Sequence, residues 1–132
     1  MFTSNHDAPK RRPLTTDLMQ PSFSGVAISL VDLHRACLRN NIAAIENRTF
    51  VDCRLEGPAV MLALDGLTFD NTDFGYAKGD IRNLVLLPAS PNGVIGAIPM
   101  RNCVFKDSEF YGVGFTGSKD FTDQILALRT GG

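Results

Sequence analysis

The chain has 132 residues, of which 44% are hydrophobic and 20% are charged, and its formal net charge at pH 7 is −1. This length and balance are typical of one soluble globular domain. The near-neutral charge argues against the broad basic surface of a non-specific nucleic-acid binder and against the acidic excess of a DNA mimic.

Residues 1–22 are polar, with prolines at positions 9, 13 and 21 and a basic run, Lys10-Arg11-Arg12. This composition is typical of a solvated arm, so we expect a single folded domain over 23–132. The first 19 residues lack the apolar core of a secretory signal, and no stretch approaches the roughly 18 apolar residues of a membrane span. We therefore expect a cytoplasmic protein with no membrane partner.

An amphipathic helix is predicted over 29–41. Its apolar residues fall at helical spacing, while the charged residues between them are placed to face water. Asn40-Asn41 is the predicted end of this helix.

A thirteen-residue pattern then recurs four times, with starts at 45, 64, 81 and 100 that are separated by 19, 17 and 19 residues. The shared positions are a large apolar sixth residue (Phe50, Phe69, Leu86, Phe105), a small ninth residue (Cys53, Thr72, Ala89, Ser108) and Asn or Gly at the third (Asn47, Gly66, Asn83, Asn102). Repeats of this length cannot hold two helices, whereas short strands joined by left-handed corners fit them. The pattern predicts a mainly β fold, a short right-handed parallel β-helix of about four coils.

Large residues within each copy lie five apart, as in Phe50 and Leu55 or Phe69 and Phe74. In this rhythm the chain, over about 45–117, resembles the pentapeptide-repeat family. The resemblance implies a four-sided right-handed β-helix lined by these side chains. The rhythm breaks between the copies, and the third copy places prolines at 88 and 91.

A second helix is predicted over 119–129, because Ser118 is a good N-cap and Phe121, Ile125 and Leu128 form an apolar stripe. An open coil of strands exposes unpaired edges at both ends. We therefore expect the N-terminal and C-terminal helices to cap the β-helix.

The residues that could carry chemistry mostly have structural interpretations. Cys37, Cys53 and Cys103 show no metal spacing and are expected to be free, buried thiols. The eighth and tenth positions of the repeat hold carboxylates that we interpret as turn residues and solvated charge. No catalytic, metal or cofactor motif is present in the sequence.

One charged column is left, at the second position of the repeat: Glu46, Asp65, Arg82 and Arg101. Stacked on adjacent coils, these side chains would form an ion-pair ladder with Asp65 beside Arg82. Asp65, Arg82 and Arg101 are also the candidate ligand-binding residues, for a sugar or an anion.

The favoured function is a non-catalytic interaction or scaffold protein that self-associates, so the expected partner is a second copy or another protein. The first alternative is a small ligand-binding protein or enzyme that acts on a sugar or anion at one face of the coil. The second, implied by the family resemblance, is a DNA mimic that inhibits a topoisomerase.

Overall fold

The computed structural model describes residues 13, 15, 17–75, 85–86 and 96–131, with the backbone alone at 85–86 and 128–131. This part of the chain consists of short strands in parallel sheets together with two helices, so the mainly β prediction is confirmed. In chain order the elements are β1 (Ser22–Ser24), β2 (Ala27–Ser29), α1 (Leu30–Arg39), β3 (Ile45–Glu46), β4 (Thr49–Val51), β5 (Arg54–Ala63), β6 (Thr68–Asp70), β7 (Val85–Leu86), β8 (Ile98–Arg101), β9 (Val104–Lys106), β10 (Glu109–Gly117) and α2 (Lys119–Gly131).

The strands do not stack in the order in which they follow one another along the chain. One sheet has the order β1-β4-β9-β6, so the fourth repeat copy lies between the first and the second. In the other sheet the order is β3-β8-β5-β10-β7, and β2 also pairs with β5. Ala63, at the end of β5, pairs with Met100 on one side and with Gly117 on the other. The segment 98–117 is therefore interleaved with the segment 45–75.

We call the successive levels of this stack layers, in the spatial order 22–29, 45–63, 98–117 and 64–75. Equivalent repeat positions meet between layers, most clearly at the sixth position. The rings of Phe23, Phe50, Phe105 and Phe69 stack in that order with centroid distances of 5.3, 5.1 and 5.1 Å. Phe50 and Phe105 are completely buried, so this column is the centre of the core.

The third repeat copy does not join the phenylalanine column, and our alignment of Leu86 with that column was wrong. Leu86 pairs with Thr116 on β10 instead. A leucine fits any apolar column, and the backbone partner of β7 decided which one it joined. The remainder of the copy, including Arg82 and both prolines, lies outside the described residues.

The corners have the left-handed backbone that the repeat predicted. At the third position φ is +60° for Asn47, +77° for Gly66 and +51° for Asn102. The eighth position is also left-handed, with φ between 49° and 52° at Asp52, Asn71 and Asp107. Glycine, asparagine and aspartate adopt this conformation at the lowest cost, which explains why the described residues of both columns are of these types.

Strands β1 and β2 form a partial first layer that the sequence analysis missed. Phe23 pairs with Phe50, and Ile28 pairs with Leu55. The signal was present, because Phe23 and Ile28 are five residues apart, as are Phe50 and Leu55.

Both helices begin at a serine N-cap. The Ser29 hydroxyl accepts a hydrogen bond from the Asp32 amide at 3.2 Å, and that of Ser118 accepts one from the Phe121 amide at 3.3 Å. Helix α1 contacts β2, β3, β5 and β8, and helix α2 contacts β10 and β7; of these strands, β3 and β7 are the opposite ends of one sheet. Among the described residues, neither helix has the length and apolar character needed to cross a lipid bilayer.

Candidate functional site

Two of the three predicted ligand-binding residues lie next to each other. Arg101 pairs with Glu46 on one side, and on the other the Asn102 amide donates a hydrogen bond to the Asp65 carbonyl at 3.0 Å. The order across the layers is therefore Glu46, Arg101, Asp65. The charges still alternate, but the cation beside Asp65 is Arg101. A pairing of Asp65 with Arg82 stays a prediction, since Arg82 lies outside the described residues.

Asp65 and Arg101 also line one open pocket of about 470 Å³, together with Ala63, Leu64 and Ser118. A carboxylate, a guanidinium and a hydroxyl can hydrogen-bond a small polar molecule. Both charged side chains are exposed, so water and salt screen their interaction with each other and with any ligand. The pocket can therefore support only weak electrostatic binding.

A second cavity, of about 540 Å³, lies between the layer 64–75 and helix α2. We call it the β6 groove. Its apolar lining consists of Leu67, Phe69, Phe74, Phe121 and Ile125. Phe69 is the last ring of the phenylalanine column, and it is only partly buried, whereas Phe50 and Phe105 are completely buried. The phenylalanine column therefore ends beside this groove, where the Phe69 ring also contacts that of Phe121 at a centroid distance of 6.1 Å.

Strand β6 borders the groove and is an edge strand, since β9 is its only partner among the described residues. The Thr68 amide donates to Cys103 at 2.9 Å, and the Asp70 carbonyl accepts from Asp107 at 3.0 Å. Backbone groups of alternate residues in a strand point to opposite sides. The amide and carbonyl of Phe69 therefore point to the outer edge.

The layer that borders the groove is acidic. Residues 64–75 contain three carboxylates, Asp65, Asp70 and Asp73, and no lysine or arginine. Asp70 lies beside Lys106 of the next layer, and Asp73 lies beside Glu109. A ligand at this end of the stack therefore meets a layer of net charge −3.

All three cysteines are buried thiols that form no disulfide. Burial raises the pKa of the Cys37 and Cys103 thiols above the ordinary value of 9.0, and the nearby Arg48 guanidinium only partly opposes this effect. Arg48 is itself engaged, donating a hydrogen bond from Nη1 to the Glu46 carbonyl at 2.7 Å. Thiols that are buried and protonated are poor nucleophiles, so these residues belong to the core.

We expect the native protein to react with Ellman's reagent only as fast as it unfolds. The denatured protein should react at once and release three equivalents of thionitrobenzoate, one for each thiol. The raised pKa values also lower stability at alkaline pH. Above pH 9 the unfolded chain loses thiol protons that the folded chain retains, so the free energy of unfolding falls as pH rises. Fast labelling of one thiol at pH 8 would contradict the assignment of all three to the core.

The eighth-position residues of the repeat link neighbouring layers. Asp107 accepts a hydrogen bond from the Asn71 side chain at 2.8 Å, joining two corner residues of neighbouring layers. Within the described ranges, no cluster of three or more His, Cys, Asp or Glu side chains could hold a metal ion.

The sequence analysis named Asp65 and Arg101 among the candidate ligand-binding residues but placed Asp65 beside Arg82, and it missed the β6 groove. The groove depends on which repeat copy ends the stack, and the sequence carries no signal for that order. Comparison with known proteins adds no relative, since no family model, no curated protein and no solved structure matches the chain.

Proposed function

We propose that this protein is a non-catalytic interaction or scaffold protein that binds other polypeptide chains. The observation that carries the proposal is the β6 groove, where an apolar cavity lies beside a strand edge that has no partner in the described part of the chain. Edge strands of this kind pair readily with another chain.

The proposed scaffold is a short right-handed parallel β-helix similar to those of pentapeptide-repeat proteins. Three features support it: the described strand pairs are all parallel, equivalent repeat positions stack in columns, and two left-handed corners recur five residues apart. The interleaving of segments 45–75 and 98–117 is a departure from a simple coil. A crystal structure tests this proposal directly through the hand of the coil and the strand order.

Self-association is the second part of the proposal, and charge favours a head-to-tail arrangement. The acidic layer 64–75 lies at one end of the stack, and helix α1 at the other end exposes Arg35 and Arg39. Heterologous contacts of this type extend as the concentration rises. In multi-angle light scattering we expect an apparent mass above that of the monomer at low ionic strength, falling toward it in about 0.5 M salt, because screening weakens contacts between exposed charges. A monomer at every concentration and salt would contradict self-association.

A second candidate function is the binding of a small sugar or anion, favoured because Asp65 and Arg101 line one pocket. Calorimetric titration with sugar phosphates tests it, with Arg101→Gln expected to abolish any binding and Lys106→Gln serving as the control. The DNA-mimic alternative is disfavoured by charge. Imitation of duplex DNA requires a continuous acidic stripe on the surface, whereas the described outward columns are interrupted by the cations Arg54, Arg101 and Lys106.

A further inference from the structure

We infer that the β6 groove binds an extended segment of another protein, which adds to the sheet as a strand beside β6 and carries a basic residue next to a large apolar one. The inference rests on the proposed interaction function and names the chemistry of the partner.

The backbone of β6 can accept such a strand. Thr68 and Asp70 direct their hydrogen-bonding groups to β9, which leaves the amide and carbonyl of Phe69 directed outward. An added strand bonds to both groups. Since β6 has only three residues, the backbone alone supplies little affinity, and side chains must supply the rest.

The apolar side chain of the partner continues the phenylalanine column. Successive rings in that column lie 5.1–5.3 Å apart with planes within 8° of parallel, up to and including Phe69. The β6 groove opens beside Phe69, and its opposite wall is formed by Ile125 and by Phe121 of α2, whose ring centroid lies 6.1 Å from that of Phe69. An aromatic or leucine side chain placed there covers the exposed part of Phe69.

The flanking residues follow from the columns on either side of the phenylalanines. On one side the layers present Thr49, Val104 and Thr68, so a β-branched residue continues that column. On the other side of the phenylalanines, Asp70 pairs with Lys106 of β9. A strand added to the outer edge of β6 would place a residue on the opposite side of Asp70, and a cation there would also pair with its carboxylate. The expected partner sequence is therefore β-branched, aromatic, basic, as in Thr-Phe-Lys.

Charge also argues against the β6 groove of a second copy of this protein as the surface that binds here. Two β6 grooves facing each other would bring together two layers that each contain three carboxylates and no cation. Like charges directly opposite one another on paired strands are destabilising. A basic segment avoids this repulsion and neutralises Asp70.

The test is fluorescence anisotropy of a labelled nine-residue peptide with Thr-Phe-Lys at its centre, titrated with the full chain at low ionic strength. We expect saturable binding, at least about tenfold weaker when the peptide phenylalanine is replaced by serine. Gln124→Trp, a change at an exposed residue that lines the groove, should abolish binding by filling the cavity.

The charge assignment has its own cross-check. Asp70→Lys should weaken binding of the Thr-Phe-Lys peptide by about fivefold and strengthen binding of a Thr-Phe-Glu peptide by a similar factor. Asp32→Lys makes the same change on α1, at the other end of the stack, and should alter neither affinity. A variant that merely unfolds cannot strengthen the binding of one peptide while weakening that of another.

Binding that Gln124→Trp leaves unchanged, or no binding up to millimolar protein, would overturn the groove assignment. If light scattering still shows self-association in that case, the proposed interaction function stands without the groove assignment. If neither peptide binding nor self-association is seen, both the groove assignment and the interaction function are overturned. Self-association that Gln124→Trp abolishes would identify a second copy as the occupant. A gain in peptide affinity on replacing Lys10, Arg11 and Arg12 by serine would identify the chain's own basic run. Either result overturns the assignment to another protein.

Discussion

Phe105→Ala is expected to lower the free energy of unfolding by about 3–5 kcal/mol. Phe105 is completely buried, and its ring lies 5.1 Å from the ring centroids of Phe50, Phe69 and Phe110. Truncation removes apolar contact and leaves a cavity between two layers that the strand pairing holds at a set spacing, so the surroundings can collapse only in part. Urea denaturation followed by circular dichroism measures the change.

Val104→Ala is the matched control for this variant, since Val104 is the preceding residue of β9 and is 36% exposed. We expect a loss of less than about 1 kcal/mol there. Similar losses in the two variants would show that the phenylalanine column is not the main source of stability. A small loss for Phe105→Ala alone would place Phe105 outside the core.

Gly57→Ala is expected to cost about 3 kcal/mol or more, a large effect for the addition of one methyl group. A Cβ atom at this position would overlap the carbonyl oxygen of Gly112 and lie 2.7 Å from the amide nitrogen of Ala59. Both are backbone atoms, so no side-chain rotation can relieve the contact. The methyl group would force β5 away from β10 where their pairing already shifts register, between Tyr111 and Val113.

The control is Gly112→Ala, on the strand opposite. A Cβ atom there meets nothing closer than the Gly57 Cα at 4.0 Å, although φ is +70°. This substitution therefore costs only the left-handed conformation of an alanine, about 1–2 kcal/mol. Thermal and urea unfolding should both rank Gly57→Ala as the less stable variant, and the reverse order would refute the argument from close approach of the two strands.

The local features of the fold could be predicted from the sequence because local chemistry determines them. Ser118 identified the first turn of the second helix, since an N-cap acts on amides two or three residues away. The spacing of apolar residues located the first helix, but its N-cap at Ser29 was not recognised. The corner positions at Asn47 and Asn102 followed from the few residue types that tolerate positive φ. The inward position of Phe50 and Phe105 followed from the alternation of side chains along a strand.

The order of the layers was decided only by the tertiary structure. Phe50, Phe69 and Phe105 are equivalent as local sequence, so nothing in any one copy states which of the others lies beside it. The same equivalence allowed Leu86 to be assigned to the wrong column. Stacking in chain order would not have placed the 98–117 layer directly between Phe50 and Phe69.

The candidate groove follows from that long-range order. Because the segment 98–117 lies between the first and second copies, the copy that contains Phe69 becomes the end of the described stack, and the outer edge of its strand has no partner among the described residues. The sequence by itself determined the short strands, their corners, the inward side chains and the two helices, all through interactions over a few residues. Only the tertiary structure decided which copies pair, because that choice depends on contacts between segments far apart in the chain whose local patterns are nearly the same.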